Sequence, residues 1–281
     1  MAFSGMVCAQ ELRVDHVTVA GRDLRAMQEA LESTGLRSEY GGPHSNHATE
    51  MSLVSFPDGS YLELIAIQAN ADPKALAAHE WRKFLKEDAG PTSWAVRPPD
   101  FPAEVERLRK RGVSVSEARK NGRKRPDGVE LEWETAQVGP ANGTFFPFLI
   151  HDFTPRERRA YPGGKATSTM YTGIQEVVLA VKDLDAAVAQ YRRAYGFTAP
   201  LRFDDSALGA HLAWFNPGPV VLATPLSTNS WLGERIKRFG ESPCAFILKL
   251  PGSTDVASVA NNSRWHWFNS LKLGWHLGYE R

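Results

Sequence analysis

Val14-Asp15-His16-Val17-Thr18-Val19-Ala20-Gly21-Arg22-Asp23-Leu24 is the stretch on which the fold turns. Across residues 12–20 apolar and polar side chains alternate as in a half-buried strand, with Val17 and Val19 on one face and His16 and Thr18 on the other. Gly21 ends the strand, and Asp23 is placed to cap a helix. Leu24, Met27 and Leu31 then fall at helical spacing until Gly35 stops it. Beyond a Gly-Gly-Pro loop at 41–43, two apolar runs at 51–56 and 61–67 flank Pro57-Asp58-Gly59, all strong turn formers. With a short strand near 37–40, the unit reads βαβββ.

The same grammar returns from Gly173: a strand at 176–181, a helix from Asp183 and a stop at Gly196. Gly-Arg-Asp-Leu at 21–24 aligns without a gap on Val-Lys-Asp-Leu at 181–184, and Thr-Gly-Leu at 34–36 resembles Tyr-Gly-Phe at 195–197. Between these copies a strand at 93–96, a helix at 102–111, and strands at 129–135 and 144–150 repeat the order of elements. A shorter fourth unit begins near Cys244. Residues 155–172, rich in charge, Pro, Gly and Ser/Thr, read as a linker. They divide the chain into 12–155, with two modules, and 173–281, with one full and one shortened module. The alternative places the boundary at a helix over 76–88, but a pair of modules per half fits the lengths better.

The chain has 281 residues and a formal net charge of +1, so it offers no global field for nucleic acid, membrane or acidic ligands. Cys8 and Cys244 make neither a disulfide framework nor a zinc knuckle. There is no apolar run long enough to span a membrane, no Gly-x-Gly-x-x-Gly fingerprint, no Walker loop and no Gly-x-Ser-x-Gly elbow. Within residues 1–10, Val7-Cys8-Ala9 is similar to a small-residue signal-peptidase site but without a charged leading segment. That reads as a signal-peptide remnant, hence periplasmic or secreted, against a plain N-terminus and a cytoplasmic location.

Val14 to Ala20, the Gly41-Gly42-Pro43-His44 loop and Gly59-Ser60-Tyr61-Leu62-Glu63-Leu64-Ile65 resemble the first module of the glyoxalase-like branch of the vicinal oxygen chelate superfamily. Arg125-Pro126-Asp127-Gly128 through Trp133, and Phe146-Pro147-Phe148-Leu149-Ile150-His151-Asp152, are similar to its second. The likeness is close over 12–155 and looser from 173 onward. It implies an α+β fold of repeated βαβββ modules paired into open, barrel-like mixed sheets around a cavity, with the first and last strands of each module side by side. The superfamily holds lyases, isomerases, epimerases, ring-opening dioxygenases and metal-free binding proteins, so fold alone does not give the reaction.

With Val17 and Val19 toward the helix, His16 faces the cavity, as do Tyr61, Glu63 and Ile65 once Leu62 and Leu64 pack outward. His16 and Glu63 match recurrent ligand positions of the superfamily and suit a divalent ion such as Zn, Fe, Mn or Ni. Each also has a plainer reading, His16 as a strand-end polar residue and Glu63 as the partner of an arginine. Where the family often carries a His in a Gly-Thr-His-Asn run, this chain has Ala48-Thr49-Glu50-Met51, so Glu50 takes the third ligand position and shifts preference toward harder ions. His44 or His47 from the preceding loop are its substitutes. In the later copy Glu176 aligns with His16, and Glu63 falls near Leu222 or Ala223, which argues against a second metal site.

The basic run 119–125 offers arginine forks for a carboxylate or phosphate, or a contact with nucleic acid, against the favoured reading of a solvated hairpin loop, with Arg125 alone kept as a contact for a substrate anion. Tyr61, His44 and His47 are further substrate contacts, while Glu50 and His151 are the candidate acid-base residues. Trp94 and Trp133 are pocket or core residues, whereas Trp265, Trp267 and Trp275 are read as packing. The function expected is a divalent-metal-dependent enzyme of lyase, isomerase or dioxygenase type acting on a small oxygen-rich substrate. Its alternative is a metal-free small-molecule binder of the bleomycin-resistance type. The partner implied is a small-molecule substrate, with no nucleic acid and no membrane, and nothing stands against a homodimer.

Overall fold

The computed structural model describes residues 12–216, 218–252 and 264–280. The signal-like segment at 1–10 lies outside the described residues, and no helix among them is long and apolar enough to cross a membrane.

The first module runs β1 (Val14–Gly21), α1 (Leu24–Glu32), β2 (Glu39–Pro43), β3 (Thr49–Ser55) and β4 (Tyr61–Ile67). Short helices α2 (Pro73–Ala78) and α3 (Arg82–Lys86) lead to the second module: β5 (Gly90–Val96), α4 (Phe101–Lys110), β6 (Arg119–Lys124), β7 (Glu130–Ala136) and β8 (Phe148–Asp152). After α5 (Arg156–Ala160), the third module is β9 (Gly173–Ala180), α6 (Leu184–Tyr195), β10 (Leu201–Asp205), β11 (Ala210–Phe215) and β12 (Val220–Pro225). Helix α7 (Trp231–Phe239) precedes β13 (Ser242–Lys249), β14 (Trp265–Trp267), α8 (Ser270–Leu273) and β15 (His276–Glu280).

The duplicated Asp-Leu pairs act alike. Asp23 accepts the backbone N–H of Ala26 and Asp183 that of Ala186, both at 3.0 Å, so each strand is followed at once by a capped helix. Pro57-Asp58-Gly59 and Pro126-Asp127-Gly128 turn with glycine φ of 80° and 86°. Two expectations shift in detail. Gly41 to Pro43 belong to β2, bulged between Tyr40 and Gly42, rather than to a loop. Gly42 has φ 105°, and a Cβ there would stand 3.0 Å from Pro126 Cδ, so the bulge needs a glycine. The single helix anticipated at 76–88 is the pair α2 and α3.

Among the described residues the strands form an eight-stranded sheet, β2-β3-β4-β1-β5-β8-β7-β6, and a seven-stranded sheet, β10-β11-β12-β9-β13-β15-β14. First and last strands of a module pair in parallel, β1 with β4 and β5 with β8, and the modules join through antiparallel β1–β5 and β9–β13. One apolar core runs through both halves, from Val17, Leu62 and Trp94 to Val177, Phe246 and Leu277. The 155–172 segment is more than a tether: Ser55 donates to the Ala160 carbonyl, and Glu39 accepts the Gly163 N–H at 2.9 Å, so it is laid against the first half.

Candidate functional site

The parity read from the sequence is the parity of the sheet. His16 pairs in register with Tyr61, and Thr18 with Glu63, while Leu53 and Met51 stand opposite Glu63 and Ile65 on β3. These residues face the hollow of the curled first sheet, and Val17, Val19, Leu62 and Leu64 enter the core on its other side. His16, His44, Tyr61 and Glu63 line a cleft of about 800 Å³, together with Arg119, Arg123, Trp133, Phe148 and Arg159.

Glu63 lies at the centre of a small constellation. Its Oε1 is 3.4 Å from His44 Nε2, its Oε2 is 4.0 Å from His16 Nε2, and Thr18 Oγ1 donates to Oε2 at 3.3 Å. Burial alone would raise the Glu63 carboxyl, but the His44 contact and the charges of His44, His16 and Arg123 bring it down to about 2. Both imidazoles are anchored through the other ring nitrogen, His16 Nδ1 at 2.6 Å from Asp15 Oδ1 and His44 Nδ1 at 2.8 Å from Thr49 Oγ1. The His16 ring also stacks on Tyr61, with centroids 4.8 Å apart and planes 1° from parallel.

Asp15 is fully buried. Burial raises its carboxyl, yet Arg159, Arg156 and the His16 hydrogen bond outweigh that and hold it well below the ordinary carboxylate range. An ionised carboxylate only accepts, so the proton sits on His16 Nδ1 and Nε2 is turned toward Glu63. Arg159 binds Asp15 Oδ1 and Oδ2 at 3.1 Å each, Asp152 Oδ1 at 2.5 Å and the Tyr61 hydroxyl at 2.5 Å. Arg156 adds a further pair to Asp15. The segment read as a linker therefore supplies the cations that orient His16.

Four expected residues stand elsewhere. Glu50 lies on the opposite face of β3 from Met51 and Leu53 and accepts the Tyr40 hydroxyl at 2.9 Å, so it does not join His16 and Glu63. His47 is exposed in a turn at φ 56°. His151 alternates with the cleft-lining Phe148 and Ile150 and packs beside Phe101 of α4, away from the hollow. Arg125 spends its guanidinium on the Asp127 carboxylate and on the carbonyls of Arg158, Tyr161 and Pro162, which fastens the 155–172 segment and leaves no open fork for a substrate anion. The basic run is not a loop: it is the edge strand β6, whose Arg119, Asn121 and Arg123 all line the cleft.

The sequence reading passes over Asp15, Arg159 and His79, and it sets Arg123 aside with the rest of the basic run. Asp15 adjoins His16, and the Arg-Glu-Arg-Arg cluster after Pro155 was a visible but unplaced signal. His79 lines the cleft between α2 and α3; burial lowers its pKa, the neighbouring charge of His44 does so too, and Glu63 opposes.

The residue types fit a divalent ion, since two anchored imidazoles face one ionised carboxylate. As the side chains stand, no three His, Cys, Asp or Glu among the described residues already converge as a metal shell. In the second half Glu176 occupies the His16 position, and the register puts Val221, not Leu222 or Ala223, at that of Glu63.

The family profile described as a glyoxalase-like domain matches residues 14–195. No match was found among curated proteins. A hypothetical protein from Staphylococcus aureus superposes with a TM-score of 0.66 at 14% identity, over 96% of this chain and 99% of that one. A mutant of 4-hydroxymandelate synthase from Streptomyces coelicolor does so with a TM-score of 0.52 at 13% identity, over 85% and 71%. At these identities the likeness is one of fold.

Proposed function

We propose that this chain, which belongs to the glyoxalase-like domain family of the vicinal oxygen chelate superfamily, is an enzyme that takes a small oxygen-rich substrate into the first-half cleft beside a divalent ion held by His16, Glu63 and His44. The observation that carries this reading is the pair of imidazole Nε2 atoms, 3.4 and 4.0 Å from one buried, ionised carboxylate. His44 replaces Glu50 in the expected ligand set. Zn, Fe, Mn and Ni all accept such donors. When bound, the ion supplies Lewis-acid stabilisation of a developing oxyanion.

The side chains divide the remaining work. Asp15 fixes the His16 tautomer, and Arg159 fixes Asp15. Glu63, held at about 2, stays ionised through neutral pH and is too weak a base to abstract a proton from carbon, which suits a ligand. His79 accepts the Trp81 N–H at Nδ1, 3.1 Å away, so its neutral form carries the proton on Nε2 and serves as a donor at the cleft wall.

Elemental analysis of protein purified without an affinity tag tests the assignment. A stoichiometric ion is expected in the native chain, and its loss in His16→Ala and in Glu63→Ala. A native protein that takes up no stoichiometric Zn, Fe, Mn or Ni would falsify it and leave the second reading, a metal-free small-molecule binder. Among the described residues no three such donors stand together as placed, and that observation favours the second reading.

A further inference from the structure

We infer that the substrate of this cleft carries a carboxylate and that Arg123 is the residue that binds it. The inference rests on reading the first-half cleft as a substrate site and adds the chemical class of what enters.

Arg123 is 8% exposed, lines the cleft from β6, and is placed by one hydrogen bond, Nη1 to the Gly41 carbonyl at 2.6 Å. Among the described residues no carboxylate lies within ion-pair distance of it, whereas Arg159 and Arg156 are each paired with Asp15 and Asp152, and Arg125 with Asp127. Burying a guanidinium without a counter-charge is costly. Burial accordingly pulls its pKa down, against the opposing pull of Tyr61 and Glu63. The nearby acid, Glu63, is already engaged by His44 and Thr18. What remains is a planar fork at a cleft wall with donors left over, the geometry that a carboxylate satisfies in two parallel hydrogen bonds.

The charge on the ligand follows from the same surroundings. A single negative charge balances Arg123, with exposed Arg119 on the same strand face nearer solvent. A phosphate would bring a second charge toward ionised Glu63. Asn121, between the two arginines, is neutral and spends its amide N–H groups on the Arg119 carbonyl and the Thr135 hydroxyl, which leaves the anion to the arginines.

The test uses matched probes: lactate against lactamide and phenylacetate against phenylacetamide, with affinities from ligand-observed NMR on the full chain. A charged hydrogen bond is worth roughly ten- to hundredfold in affinity, and the acid of a pair is expected to bind tighter than the amide by about that factor. Arg123→Met should bring the ratio close to unity, and Arg123→Lys should restore part of it. The native acid-to-amide ratio tests the idea without any variant, so misfolding of Arg123→Met does not rescue it. Equal binding of acid and amide, binding of neither acid at millimolar concentration, or an acid preference that survives in Arg123→Met overturns the assignment. Repeating the native measurement after chelation separates the two proposals. A preference that persists upholds Arg123 whatever becomes of the metal site, and one that vanishes on chelation shows the acid on the ion and overturns Arg123.

Discussion

His16 and Glu176 stand at the same point of the same strand in the two halves, and their surroundings diverge completely. In the first half the hollow of the sheet stays open, floored by Glu63 and two histidines and walled by arginines. In the second, Leu212, Trp214, Val221, Ile247 and Trp265 fill the equivalent space, and α7 lays Leu232 and Ile236 into it. The helices that follow the first module in α7's place reach less far: α3 covers only one end, where Leu85 meets Ala20 and Ile65. One scaffold therefore makes either a binding cleft or a packed body, and the choice lies in how far the connecting helix and the indoles reach in. Glu63 and Glu176, both buried, record the difference. Glu63 is drawn down to about 2 despite its burial, whereas burial, aided by Glu280, lifts Glu176 to about 7 against the pull of Arg264.

The largest effect is expected where the cleft's polarity is held in place. Arg159 is 4% exposed and serves Asp15, Asp152 and Tyr61 together. Arg159→Leu leaves buried Asp15 and half-buried Asp152 to Arg156 alone, so the cost is expected toward the lower end of the about 3–5 kcal/mol that removing one partner of a buried pair brings. Urea denaturation at neutral pH measures it. A loss below about 1 kcal/mol would mean that the network is solvated and that the first half does not depend on it.

Glu176 gives the next largest effect, with the opposite sign to the usual carboxylate. Its folded pKa of about 7 lies above the ordinary 4.5, so between those values the folded chain binds more protons than the unfolded one. Stability then falls as pH rises through that window, by roughly 3 kcal/mol in all, and levels off above it. Glu176→Gln should flatten this slope and leave the variant more stable than the native chain at pH above about 7. Glu63 runs the other way in metal-free protein: with a folded value of about 2, its contribution is present above 4.5 and lost as pH falls from 4.5 toward 2. An unchanged slope in Glu176→Gln would show that the second half's interior admits water.

How much of this was readable depended on whether a residue's partner is local. The β1–α1 unit, its Asp23 cap and its copy at Asp183 follow from neighbouring residues, and the facing of His16 and Glu63 follows from strand parity. The run 119–124 reads as a loop because an edge strand with a solvated outer face is written in charged residues, and only the β7 pairing turns Arg123 inward. Glu50 joins the ligand set by motif likeness alone, whereas strand parity from the inward Met51 turns it to the other face. Arg159 was beyond reach for a different reason: it meets Asp15 across 144 positions of sequence, and a Pro- and Gly-rich segment carries no periodicity to announce that contact.

The smallest expected effect tests the comparison at one atom. Thr18 of β1 corresponds to Val178 of β9, and both are fully buried on the hollow face. The shapes are nearly the same, so Thr18→Val writes the second half's residue into the first and removes only the hydroxyl that donates to Glu63 at 3.3 Å. A hydrogen bond of that kind is worth about 1 kcal/mol net, somewhat more to an ionised acceptor, and the distance is at the long end of the range. The loss should shrink when Thr18→Val is made in a Glu63→Gln background, because the hydroxyl then faces a neutral amide, and a double-mutant cycle isolates that coupling. Full additivity of the two substitutions would mean that Thr18 only fills space, as Val178 does, and that the histidines and Arg123 hold the Glu63 charge without it.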